Sequence, residues 1–264
     1  MTAIAQRPAI LAAGLATAVL LAILVTADAK KAALFLVGLA LGVTLYHAAF
    51  GFTGAYRRAI VERDISGVAA QALMLAAAML LFAPILAAGS VFGHGVSGAL
   101  APVSVSMAFG AFLFGIGMLI GGGCASGTLF TAAGGDVRMM LVLVFFCVGA
   151  FWGSLDLAWW TTLPSLGRIS LAETWGWKIA IPLQLSALIL IYGALRLIGG
   201  RHKRPLWPAD GFSLDQLLRG PWPLLLGAAL LAVLNWLTLL IAGHAWSITW
   251  GFSVQNMGQS IHEG

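Results

Sequence analysis

The chain reads as an all-α polytopic membrane protein, an inverted-repeat helical bundle whose helices break or re-enter at glycine-rich motifs. Three observations lead there. Of its 264 residues, 61% are apolar and 9% charged, with a mean hydropathy of +0.98; a soluble domain carries roughly 25% charged residues. Apolar stretches of the length a bilayer requires, about 20 residues, recur along the chain. One of them ends in four glycines and a cysteine, a composition that costs a continuous helix roughly 1 kcal/mol per glycine.

Taken in order, spans are predicted near 9–26, 32–52, 68–90, 103–123, 139–160, 178–199 and 221–242; a stretch near 245–258 is too polar to count. The first resembles a signal peptide in its Ala27-Asp28-Ala29 sequence. Its length and the lone preceding Arg7 favour an uncleaved span. With seven spans, Arg7, Arg57, Arg58, Arg63, Arg138, Arg196, Arg201, Lys203, Arg204 and Arg219 share the N-terminal side. Lys30, Lys31, Arg168 and Lys178 face the other. Ten against four in short loops places the N-terminus in the cytoplasm, in a multi-pass protein of the cell inner membrane. The net charge of +5 is thus spent on topology and points to no nucleic acid.

The remaining segments fit this layout. Residues 162–177 read as an outside loop with room for a short interfacial helix, and Trp152, Trp159, Trp160, Trp175 and Trp177 as an aromatic belt. Asp156 reads as an interfacial carboxylate. In domain terms, 1–200 holds the first repeat and adjoining spans, 201–220 a cytoplasmic linker, and 221–264 the incomplete start of a second repeat.

The chemistry concentrates in the run from Gly115 to Gly127. Gly110, Ala111, Gly115 and Gly117 suit close helix packing, which leaves Gly121, Gly122 and Gly123 to break the helix ahead of Cys124 and Ser126. A thiol is a weak, polarisable donor. Backbone N–H groups freed at a break, and the positive end of a half-helix, favour an anion beside it. A soft contact also permits the release that transport needs, without a basic residue in the bilayer. Cys147 reads as a small hydrophobe within a span. There is no paired carboxylate in the spans, no His/Cys cluster at metal spacing and no phosphate loop, so neither an enzyme nor a cofactor is indicated.

A repeat accompanies this run. Tyr46 to Thr53 can be laid over Ser247 to Ser253 on a shared aromatic-Gly-Phe-Thr/Ser core, with Gly51 and Gly251 offset by 200 residues. Each copy follows a long apolar span, the second and the seventh, which run in opposite directions. Such inverted repeats place a substrate site near the midplane between the halves.

Phe50-Gly51-Phe52-Thr53-Gly54-Ala55, followed by Arg57-Arg58, resembles the first motif of the YeeE/YedE family of sulfur-compound transporters, Phe-Cys-Phe-x-Gly-Ala with a basic residue after it. The 121–127 sequence Gly-Gly-Gly-Cys-Ala-Ser-Gly is similar to that family's Gly-Gly-Cys-x-Ser-Gly, and residues 248–253 resemble the opening of its second half. The resemblance implies import of thiosulfate or a related reduced sulfur anion, passed along cysteines without covalent chemistry, and a small cytoplasmic sulfur-carrier protein as partner. Carried over by position, Cys124 contacts the substrate sulfur and Gly121, Gly122, Gly123 and Ser126 cradle it. Gly51, Phe52, Thr53, Gly251 and Phe252 would line the same path. Gly51 stands where the family has a cysteine, so that position lacks its sulfur; His47, one turn earlier, is the candidate replacement donor, against a helix-packing role. The repeat partner of Cys124 is expected near position 324, so the chain reads as a family member cut short at its C-terminus. The alternatives are an accessory or truncated membrane subunit without transport of its own, or a membrane thiol-redox protein, although Cys124 has no neighbouring cysteine in sequence to resolve a disulfide.

Overall fold

Helix boundaries fall where glycine, aspartate or a left-handed residue ends a repeating backbone pattern. The computed structural model describes residues 3–208, 212–213, 216–217 and 220–247. Helix α1 (Ala3–Ala27) gives way to α2 (Ala29–Ala48) at Asp28, whose carboxylate accepts from the Lys30 N–H at 2.8 Å. Then come α3 (Phe52–Val61), α4 (Ser66–Ala88) and a small hairpin of β1 (Ser90–Val91) and β2 (His94–Gly95). Helices α5 (Val105–Gly121), α6 (Ala125–Ala133), α7 (Val137–Leu155), α8 (Leu157–Thr161), α9 (Leu171–Trp175) and α10 (Trp177–Leu197) follow, and α11 (Leu224–Ala242) ends the series.

Six stretches are long and apolar enough to cross a membrane: Ala29–Val61, Ser66–Ala88, Val105–Ala133, Val137–Leu155, Trp177–Leu197 and Leu224–Ala242. A shorter apolar helix, Leu11–Ala27, lies within α1. Six of the seven spans expected from hydropathy fall on these stretches, with differences at the ends, and the first, near 9–26, falls on α1. The second stops at Ala48 because Ala49 adopts a left-handed conformation (φ 45°). The fifth stops at Leu155 because Asp156 interrupts the backbone, and α8 carries Trp159 and Trp160 beyond it. Those two rings meet edge to face at 4.8 Å, and Trp160 stacks on Phe109. Helix α9 lies within residues 162–177, where a short helix was expected.

The core lies among α2, α4 and α11, built from Leu41, Leu45, Ala48, Phe50, Ala70, Ala228 and Leu231. Small side chains let these helices approach: a Cβ on Gly227 would lie 2.6 Å from that of Ala48. Gly227 is near the start of α11 and Ala48 ends α2, so the two helices run antiparallel. Both ends of α11 are tied down. The Trp222 N–H donates to the His47 carbonyl at 2.8 Å, and at the far end the Ser97 N–H donates to Gly243 at 2.9 Å. By contrast, α5 and α7 have no buried residue. A Cβ on Gly110, Gly115 or Gly117 would meet nothing within 4 Å. The close packing expected of that small-residue stripe is therefore not made within the described residues.

At the basic end, Asp64 sits between α3 and α4, 2% exposed. Its carboxylate accepts from the Ser66 N–H at 3.0 Å, the Arg204 Nε at 3.0 Å and the Lys203 N–H at 3.3 Å, pinning the segment after α10 to the start of α4. Burial alone would raise its pKa; the hydrogen bonds from Ser66, Arg204 and Lys203 outweigh burial and hold it at about 2. Because the folded value lies below the ordinary 3.8, the stability that Asp64 contributes is complete above that pH and is lost as pH falls towards about 2. Asp64→Asn is expected to lower stability by about 1–3 kcal/mol at neutral pH. Thermal unfolding of the purified protein should also show a smaller loss between pH 4 and 2.5 in the variant than in the unmodified chain.

Candidate functional site

Two helix breaks define the site. At the first, Gly51 starts α3 with an extended backbone (φ −103°, ψ 130°) and no side chain to cap it. The Gly51 carbonyl accepts from the Ala55 N–H at 3.2 Å and, from α4, the Gln71 amide at 3.5 Å. Thr53 is buried on α3, and neither its hydroxyl nor the Gln71 carbonyl oxygen has a hydrogen-bond partner among the described residues. Phe52 is half-buried and meets the Tyr56 ring edge-on at 6.1 Å.

At the second break, Gly122 ends α5 in the left-handed region (φ 80°), its N–H donating to Met118 at 3.1 Å. Cys124 then starts α6 with an extended backbone (φ −79°, ψ 179°). Its Sγ accepts from the Gly127 N–H at 3.4 Å and lies 3.4 Å from the Ser126 hydroxyl. The thiol thus acts as an N-cap, taking the place usually held by Ser, Asp or Asn. The amides of Ala125 and Ser126 stand in the same turn, at the positive end of the helix.

All three glycines have local reasons to be glycine. A Cβ on Gly121 would meet Val142 at 3.3 Å, and one on Gly122 would meet Met139 at 3.1 Å; both contacts come from α7. On Gly123 it would lie 2.6 Å from the Thr128 hydroxyl and 3.0 Å from the Thr128 nitrogen. Thr128 is 1% exposed, and its hydroxyl is without a hydrogen-bond partner among the described residues. The fold therefore stores an unsatisfied donor over the glycine that precedes the thiol.

The two breaks share a seam. Helix α6 passes the α2–α3 junction in the reverse direction: Gly134 faces Tyr46 and Phe130 faces Gly51. At 1.5 Å per residue, Cys124 and the level of Gly51 are about 9 Å apart along α6. His47 is seated differently. Its Nδ1 is 3.0 Å from the Val43 carbonyl, and its ring lies 5.1 Å from Trp222 and 5.5 Å from Tyr46, at the foot of α11. Ser126 is half-buried beside the thiol, while Cys147 lies in the middle of α7, also as a free thiol. Gly251 and Phe252 lie outside the described residues.

Thr128, Gln71 and Tyr56 escaped sequence reasoning. Thr128 stands one turn after Cys124, a spacing that places it on the same helix face, and this was the one available signal. Gly123→Ala is expected to cost about 1–3 kcal/mol by pushing Thr128 out of place. Melting of the purified protein would show the loss, and labelling of Cys124 by a small maleimide should become faster as the turn opens.

A family model described as sulphur transport matches residues 47–263. The match begins at His47 and includes both breaks and the shared seam. Comparison with curated proteins returns no match. With more than half its length matched and its apolar helices in place, the chain is a polytopic membrane protein that belongs to the sulphur-transport family.

Proposed function

We propose that this protein takes up thiosulfate or a closely related reduced sulfur anion, and that Cys124 contacts the soft terminal sulfur. The observation that carries this reading is the thiol at the start of α6, at a break made by three glycines and beside the orphaned Thr128 hydroxyl. A thiol offers a soft contact to a sulfur atom, the first-turn amides offer N–H groups to its oxygens, and Thr128 gains the acceptor it lacks. None of these groups carries a formal positive charge, which keeps binding weak enough for release. No bond is made or broken, and the protein acts as a transporter rather than an enzyme.

Gly51, Phe52 and Thr53 would form the neighbouring stage on the same seam, about one and a half helical turns from the thiol. The antiparallel packing of α2 and α11 supports the reading of 221–264 as the start of an inverted second repeat, joined by the 201–220 linker. The excess of basic residues on the Asp64 side supports a cytoplasmic N-terminus in the inner membrane. A small cytoplasmic sulfur carrier remains the proposed recipient of the imported anion.

The test is uptake of labelled thiosulfate in cells lacking other sulfate and thiosulfate importers, at matched membrane levels. Cys124→Ala should abolish uptake, and Thr128→Val should reduce it roughly 10- to 100-fold, the loss expected for a hydrogen bond to a charged ligand. Cys147→Ala should leave it unchanged. Equal uptake from the unmodified chain and Cys124→Ala would refute the cysteine contact.

A further inference from the structure

Helices α4 and α10, with the chain that follows α10, form a two-part concavity unrelated to the cysteine seam. Its apolar part, about 390 Å³, lies between the two helices and includes Ala72, Leu73 and Ala76 of α4 with Leu185 and Ile189 of α10. Alanines on α4 leave this groove open where larger side chains would close it. At its basic end a second cavity, about 270 Å³, is lined by Arg63, Arg201 and Lys203, with Glu62 as the one acidic lining residue.

One short stretch of chain borders both. Gly199, Arg201 and Lys203 line the basic cavity, while His202 and Leu206 line the groove. The stretch is held in place independently of any ligand. The Arg201 N–H donates to the Arg63 carbonyl at 2.9 Å, the Ile65 N–H donates to Arg201 at 3.1 Å, and the Arg63 guanidinium donates to Ile198 at 3.1 Å. The Tyr192 hydroxyl is 2.8 Å from His202 Nε2, and both side chains line the groove. Asp64, the nearest buried carboxylate, is already engaged by Ser66, Lys203 and Arg204, so it does not neutralise the cavity cations.

We infer that this surface binds one anionic phospholipid, its phosphate in the basin of Arg63, Arg201 and Lys203 and an acyl chain in the α4–α10 groove. A purely apolar groove would take any lipid tail. A basin alone would take any small anion. The two in register, one in the membrane-crossing part of the helices and the other in the loops that end it, match a molecule with both parts. The charge selects anionic over zwitterionic headgroups, since each basic residue near the surface strengthens attraction to an anionic lipid.

The full chain, extracted into mild detergent from membranes holding equal phosphatidylglycerol and phosphatidylcholine, tests this by native mass spectrometry. One phosphatidylglycerol should be retained in preference to phosphatidylcholine. The double variant Arg201→Gln, Lys203→Gln should weaken that preference about tenfold, and Ala76→Phe, which leaves every charge in place, should also release the lipid. Melting temperatures without added lipid identify any variant that has misfolded, and Ala72→Phe serves as the second groove-filling change. Equal retention of the two lipids would overturn the proposal. So would displacement of phosphatidylglycerol by millimolar inorganic phosphate with no effect of Ala76→Phe, which would mark the basin as a site for free oxyanions.

Discussion

Within a bilayer, backbone groups released by a broken helix find no water, so a break survives only where protein atoms or a polar cavity receive them. That constraint organises this molecule. Its breaks at Gly51 and at Gly122–Cys124 are linked by one helix: α6 starts at the second break and runs back past the α2–α3 junction, where Phe130 faces Gly51. The Gln71 amide on α4 and the Cys124 thiol on α6 each take up part of the deficit left by a missing helical turn. Among the described residues the hydroxyls of Thr53 and Thr128 and one oxygen of Gln71 are left without partners near these breaks, as are Arg58 Nε and Arg204 Nη2 at the basic end. Buried polar groups without partners are costly, and in the function proposed here the two threonine hydroxyls are the ones able to donate to an anion.

The rest of the described structure fixes that seam in space. Antiparallel α2 and α11, with α4 between them and the loops, supply the buried core. Asp64 ties the chain after α10 to the start of α4, and through it the linker that leads into α11 is set relative to α3. Helices α5 and α7 contribute few internal contacts beyond α6, yet Val142 and Met139 of α7 press on Gly121 and Gly122 and so shape the turn that presents the thiol. Outer helices thereby act on the site through contact with glycine.

Much of this was legible in the residues themselves. Long apolar runs located the helices because hydropathy over about 20 residues is a strong signal, and the Gly-Gly-Gly-Cys run located the break because glycine is costly inside a helix. The short helices α3 and α6 were not, since ten and nine residues are too few for periodicity to stand out, and α3 carries Arg57 and Arg58 besides. The stripe Gly110, Gly115, Gly117 looked like a packing face and packs against nothing described, because spacing specifies a face but not a partner. His47 was read against Gly51 by helical spacing, whereas the structure adds a neighbour from 175 residues onward, Trp222, that no local pattern contains. The roles of Thr128 and Gln71 depend on which hydrogen bonds go unmade, and that is a property of the folded molecule alone.

The central claim is that a sulfur anion occupies the space beside the Cys124 thiol. In a Cys147→Ala background, Cys124 is the sole cysteine, and its alkylation rate by a small maleimide reports directly on that space. Thiosulfate should slow the reaction saturably, while sulfate at the same concentration and ionic strength should not. Identical rates with and without thiosulfate, across concentrations that support uptake, would contradict the account.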